Sequence, residues 1–285
     1  MADITRDDDR SGSTPASVPP PARRTAANPV PFRGGGFQPR SIRFAGLIAF
    51  IVIIGLWQLG SYYGVIGSLI MPSPAEVVRA LYDLAKSGEM GQHIGASLQR
   101  LILGWLIGAG GGIVLGLAIG LFSVARAAGI PVVSALFPIP KIALLPLFIV
   151  WFGIGEPSKV ATIAFGTFFP TVISTYGGVD GVDRTLIRMG QSFGLSWWSI
   201  VRKIVLPGAL PAMLSGFRIS ASIGIILLVA AEMIGAEYGI GAYVLLAGNL
   251  FATDQLIAGV VLLSVLGLIV AWAIGRAEKW LLRWR

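Results

Sequence analysis

Six apolar stretches, at about 44–63, 97–121, 130–152, 160–178, 208–234 and 255–275, set the terms for everything else this chain can do. Each is near the length at which a helix crosses the hydrocarbon core of a bilayer. Inside lipid every backbone polar group must be satisfied by the segment itself or by a closed barrel, and runs this long and continuous specify helices. Composition agrees: 55% of the 285 residues are apolar and 13% charged, where soluble domains carry roughly a quarter charged. The expected fold is all-α and polytopic, with about six transmembrane helices. The first run starts only after Arg40 and Arg43 and is long enough to span, so it does not read as a signal peptide.

Residues 1–40 lack any apolar run and carry seven prolines beside Asp7, Asp8 and Asp9, which predicts a disordered tail ahead of a transmembrane domain over 41–285. With the N-terminus in the cytoplasm, 16 Lys and Arg fall on that side, and only Arg79, Lys86 and Lys159 on the other. Both termini are therefore expected inside a bacterial cell membrane. The net charge of +8 and the pI near 10.2 follow from this topology. The cations flank apolar spans instead of lining one basic face, so the implied partner is the lipid bilayer and not nucleic acid. Trp57 and Trp151 mark the outer boundary, and Trp272, Trp280 and Trp284 the inner one. Between spans one and two, MPSPAEVVRALYDLAKSGEM reads as a helix opened by Pro74 at the outer surface.

The chemistry of catalysis is missing. There is no cysteine and His93 is the single histidine, which excludes disulfides, thiol nucleophiles and His-rich metal sites. No Ser-His-Asp set, carboxylate pair or Gly-Lys-Ser/Thr phosphate loop occurs, so neither enzymatic activity nor a bound cofactor is expected of this chain.

The long polar interval from Asp180 to Pro207 is of a different kind. Leu186, Met189, Phe193, Trp197, Ile200 and Ile204 recur at helical spacing, leaving Arg184, Arg188, Gln191, Arg202 and Lys203 to water. Gly194 divides the interval and Pro207 is expected to end it, giving two short helices that should lie against a partner.

Within the spans, Gly104, Gly108, Gly112, Gly116 and Gly120 form a four-residue row that lets another helix backbone come close, a packing seam. Pro131, Pro138, Pro140 and Pro146 predict a broken third span facing the interior, with Lys141 near its middle as a candidate contact for an anion in transit. Glu232, at the outer end of span five, is the second pathway candidate, or the structural partner of a cation such as Arg100. Arg218 is expected to snorkel to the inner interface.

The interval over 180–207 resembles the cytoplasmic signature of permease subunits of bacterial ABC importers. Arg188, Met189 and Gly190 stand where that signature has Glu-Ala-Ala, followed by Gly194 and by Ile204, Leu206 and Pro207 at the matching spacing. Arg188 departs from the family's acid. MPSPAEV at 71–77, PIPKIALLPLFIVWFGIGEPSK at 138–159 and VAAEMIGAEYGIG at 229–241 narrow the likeness to taurine, sulfonate and nitrate permeases.

The resemblance implies a type I importer permease fold acting as a homodimer. It further implies two copies of a separate ATPase, which holds the ATP and Mg, and an extracytoplasmic binding protein that delivers a small anion of the sulfonate, taurine, nitrate or bicarbonate class. Coupling to the ATPase would fall to Arg188, Met189, Gly190, Gln191, Ser192, Phe193, Gly194, Leu195 and Ser196, with Ile204, Leu206 and Pro207. The alternative is an ion-coupled secondary transporter using Lys141 and Glu232, which would need paired broken helices where only one broken span is seen.

Overall fold

A computed structural model describes residues 44–64, 67 and 71–283; the tail read over 1–40 and Trp284 lie outside them. The chain falls into two units, Met1–Phe50 and Ile51–Arg285. Of the first, the described part is the opening of α1 (Ala45–Tyr62). The second carries α2 (Pro74–Ser87), α3 (Glu89–Leu121), α4 (Ser123–Leu136), a 3-10 turn at Lys141–Leu144 and α5 (Leu145–Phe152). After these come α6 (Glu156–Asp180), α7 (Arg184–Ser192), α8 (Trp197–Ile200), a π-helical turn at Val201–Val205, α9 (Leu206–Glu232), α10 (Ile240–Asn249) and α11 (Thr253–Leu281).

Four helical runs are long and apolar enough to cross a membrane: α3, α6, the continuous run Trp197–Glu232, and α11. The pair α4 and α5, with the turn at Lys141, makes a fifth, bent by 89° where Pro138 and Pro140 interrupt the backbone ladder. Against the six spans expected, α1 reaches only 18 residues, or about 27 Å, the lower edge of what spans a bilayer. The bent span is only partly interior. Val133 and Phe169 share one cluster and Phe148 meets Phe165 edge-on, while Val150, Trp151 and Phe152 remain exposed.

Helix α2 forms as its sequence specifies. Ser73 Oγ accepts from the Glu76 N–H at 3.3 Å, Glu76 Oε2 accepts from the Ser73 N–H at 2.7 Å, and Pro74 opens the first turn. Val77 and Ala80 then bury against Trp57 and Ala258.

The centre of the bundle is the contact of α3 with α6. A Cβ placed on Gly104 would lie 2.6 Å from Ile163 Cβ; on Gly112, 2.7 Å from Thr171 Cβ; on Gly116, 2.6 Å from Thr175 Cβ; and on Gly120, 2.7 Å from Val179 Cβ. Gly108 faces Thr167 and the Ala164 carbonyl still more tightly. Five glycines at every fourth position thus meet five α6 residues at every fourth position, in the same chain direction, so the two helices run parallel along their whole contact. Thr167 and Thr171 return their hydroxyls to carbonyls of their own helix, which leaves a smooth face for the glycines. Helix α9 crosses the other side of α6 in the opposite direction, Leu227 against Gly166 and Ala209 against Gly178. Among the described residues the outward faces are apolar and bare, for example Leu268 and Ile226, as lipid contact requires.

Candidate coupling surface and buried ion network

The two ends of this bundle carry different chemistry. At the end where α6 stops, Asp183 caps α7 by accepting the Thr185 N–H at 2.7 Å, and that bond holds its carboxyl below the ordinary aspartate range. Nine residues later the helix closes by a Schellman motif. Leu195 N–H donates to Gly190 O at 3.0 Å and Gly194 N–H to Gln191 O at 2.9 Å, with Gly194 left-handed at φ +70°. Ser196 then caps α8, its Oγ accepting from the Ser199 N–H. Two short helices joined at Gly194 are what the sequence led one to expect.

Pro207 does not end them. The chain runs on through the π turn into α9, and Pro207 sits directly after that turn, where it gives up one backbone bond to the preceding turn without breaking the rod. The widened turn immediately before it absorbs the extra residue, so the cytoplasmic-signature segment and the next span are one continuous rod.

The apolar stripe splits into two faces. Ile187, Leu195, Ile200 and Ile204 pack with Val179, Val182, Val205 and Met213 onto the ends of α6 and α9, and Gly190 is buried where a Cβ would lie 2.9 Å from Ile204 Cδ1. Leu186, Met189, Phe193 and Trp198 are exposed on the side away from that cluster, Phe193 by 77% and Trp198 by 72%, while Trp197 lies against Phe122 at the end of α3, ring centres 5.7 Å apart. Leu186, Met189 and Phe193 rim an open cleft whose floor holds Ile204, Pro207 and Gly208. Arg188, Gln191 and Ser192 are exposed beside it, with Ser192 Oγ donating to Arg188 O. Leu206 is half-buried in the rod itself.

The opposite end holds a buried ion network centred on Arg100, which is 4% exposed. Its guanidinium grips Glu156 with two bonds of 2.6 and 2.5 Å, reaches Glu232 Oε1 at 2.8 Å, and donates to Tyr238 O at 2.6 Å. Glu232 accepts further from Ser97 Oγ at 2.7 Å and from the Gly241 N–H at 2.8 Å, placing its charge at the start of α10. His93 Nδ1 meets the backbone of Gly239, and Lys159 donates to Gly155 O and Gly235 O. A side chain at Gly239 would strike the Glu232 carboxyl and the Arg100 guanidinium.

Glu232 is thus bound to Arg100, the structural option, and not set beside Lys141. Lys141 lies on the broken span, donating to Phe137 O with its ammonium 4.7 Å from the Phe137 ring centre and 5.5 Å from that of Phe169. Lys159 is 3% exposed, its ammonium satisfied by two backbone carbonyls. Arg218 pairs with Glu278 near the end of α11 at 2.5 Å and stays more than half exposed. Helix α10 was not foreseen at all, being ten residues of apolar sequence too short to span.

The model for binding-protein-dependent transport system inner membrane components matches residues 108–283, which contain most of the seam, the Schellman-closed loop and the continuous rod into α9. The chain belongs to that family. It is a permease subunit of an ABC importer, and the ion-coupled alternative falls away.

The putative aliphatic sulfonates transport permease protein of Bacillus subtilis is 35% identical to this permease over 84% of its length and 87% of the relative's. The Escherichia coli taurine transport system permease protein is 34% identical over 82% and 86%. The riboflavin transport system permease protein of Chloroflexus aurantiacus is 30% identical over 83% and 88%. Among solved structures, an inward-facing methionine ABC transporter aligns with 74% of the permease and 98% of its own chain, with a TM-score of 0.52 at 21% identity, a likeness of fold.

Proposed function

We propose that two copies of this permease form the translocation pathway for a small organic anion of the sulfonate class. An extracytoplasmic binding protein delivers the anion to the end of the bundle that holds Arg100. A dimer of separate ATPase subunits, carrying ATP and Mg, docks on α7 and α8 at the other end and drives the cycle. Both chain termini then lie in the cytoplasm. The observation that carries this reading is the exposed apolar surface of Leu186, Met189, Phe193 and Trp198, in a helical hairpin whose other face is fused to α6 and α9. That surface lies beside Arg184, Arg188, Arg202 and Lys203, which put it in water beyond the membrane, where bare aromatic surface calls for a protein partner.

Met189→Asp with Phe193→Asp is expected to abolish co-purification of the ATPase while the permease remains monodisperse in detergent. Retention of the ATPase at wild-type stoichiometry would refute the docking assignment. The sulfonate class is supported by the names of the Bacillus subtilis and Escherichia coli relatives and by Lys141, for which the described residues show no carboxylate partner. Reconstituted with its partners, the Lys141→Ala permease is expected to lose most taurine or alkanesulfonate uptake. Unchanged uptake with unchanged substrate-stimulated ATP hydrolysis would remove Lys141 from the pathway.

A further inference from the structure

Between Asp254 and Arg276, α11 runs for 21 residues without a charge, about 32 Å of helix, which matches the hydrocarbon thickness of a bilayer. Arg276 therefore emerges at headgroup level, and the last turns of α11 are held at that depth. Trp272, Arg276, Lys279, Trp280 and Arg283 recur at intervals of three and four, so they share one face of the helix end. They line an open groove of about 540 Å³, with both tryptophan rings well exposed, 69% for Trp272 and 64% for Trp280. Among the described residues of this helix end the one acid, Glu278, lies outside the groove and is engaged by Arg218. Among the described residues, Arg276, Lys279 and Arg283 have no carboxylate partner.

We infer that this groove binds the phosphodiester headgroup of an anionic phospholipid, with Arg276, Lys279 and Arg283 on the phosphate and the two indoles against the glycerol and upper acyl region. A set of three uncompensated cations between two interfacial tryptophans matches the charge and the amphipathic profile of such a lipid. Nothing comparable is presented by the α2 end, where Arg79 and Lys86 stand apart from any tryptophan-walled groove among the described residues. The inference goes beyond the transport reading and rests only on α11 crossing the bilayer.

The test uses the full-length permease in vesicles of phosphatidylcholine alone and of equal parts phosphatidylcholine and phosphatidylglycerol, followed by detergent extraction and native mass spectrometry of retained lipid. The wild type is expected to keep phosphatidylglycerol in preference to phosphatidylcholine. The variant R276Q/K279Q/R283Q should lose that preference, with affinity falling about fivefold for each cation removed. R276K/R283K, which keeps the charge, should retain it, and R79Q/K86Q should leave it unchanged. Equal retention by the triple variant, or an equal loss in R79Q/K86Q, overturns the site. So does a triple variant that keeps its phosphatidylglycerol but sheds the ATPase, which would make the patch a protein contact.

Discussion

Arg100 is the residue on which one end of the bundle depends. Its guanidinium is committed to two carboxylates and a carbonyl on three separate segments, so no second side chain can replace it. Removing it leaves Glu232, 1% exposed, as an uncompensated buried charge. Breaking such a pair from one side costs about 3–5 kcal/mol. Arg100→Ala is therefore expected to lower stability by that amount in denaturant unfolding in mixed micelles. Arg100→Lys should recover little, because an ammonium cannot fork between Glu156 and Glu232. A loss under about 1 kcal/mol for the alanine variant would mean that the network is dispensable. The sequence pointed to this pairing through the position of Glu232 alone. It could not show that Glu156 and Lys159 join in, because nothing local marks a residue whose partners lie 56 and 76 positions away.

At the scale of elements, the seam between α3 and α6 makes a sharper claim than small residues in general would. Gly110 and Gly112 are neighbours on one helix, yet a Cβ at Gly110 meets nothing within 4 Å and one at Gly112 meets Thr171 Cβ at 2.7 Å and Phe168 O at 2.8 Å. Gly110→Ala is expected to be neutral or to stabilise by up to about 1 kcal/mol through helix propensity. Gly112→Ala should cost about 1–3 kcal/mol by overpacking, because a backbone carbonyl cannot move aside. Thermal aggregation midpoints of the two purified variants distinguish them, and a pair of indistinguishable midpoints would mean that α3 and α6 slide freely. This row was legible in the sequence because its period of four is itself the geometry of close packing. Helix α10 and the course of Pro207 were not, for opposite reasons: α10 is too short to carry a span's signal and is anchored by Glu232 from nine residues upstream, while the proline signal was strong but placed at the wrong side of the helix start. A proline in the first turn and a proline after the last look alike until the preceding backbone is known.

For the whole molecule, the proposed docking on α7 raises the question of how force there would reach the far end about 30 Å away, the length of helix between Gly120 and Arg100. The inner face of α7 and α8 shares one apolar cluster with Val179 of α6 and Met213 of α9, and Val179 is also the residue that meets Gly120 of α3. Three long helices therefore converge on the docking hairpin, and α8 continues into α9 with no break. Under the proposed docking, the hairpin would transmit a push only as far as its own corner is stiff, and the corner is the Schellman turn at Gly194. An alanine there keeps the exposed face of Met189 and Phe193 but places a Cβ at φ +70°, a strain of about 1–2 kcal/mol that loosens the turn. Gly194→Ala is expected to bind the ATPase nearly as well as wild type while losing much of the stimulation of ATP hydrolysis by loaded binding protein. Gly194→Pro, which cannot adopt the left-handed conformation or donate to Gln191 O, should lose docking as well. If Gly194→Ala hydrolyses ATP with full stimulation, the corner is not the element under load, and the continuous rod from α8 into α9 must carry the coupling alone.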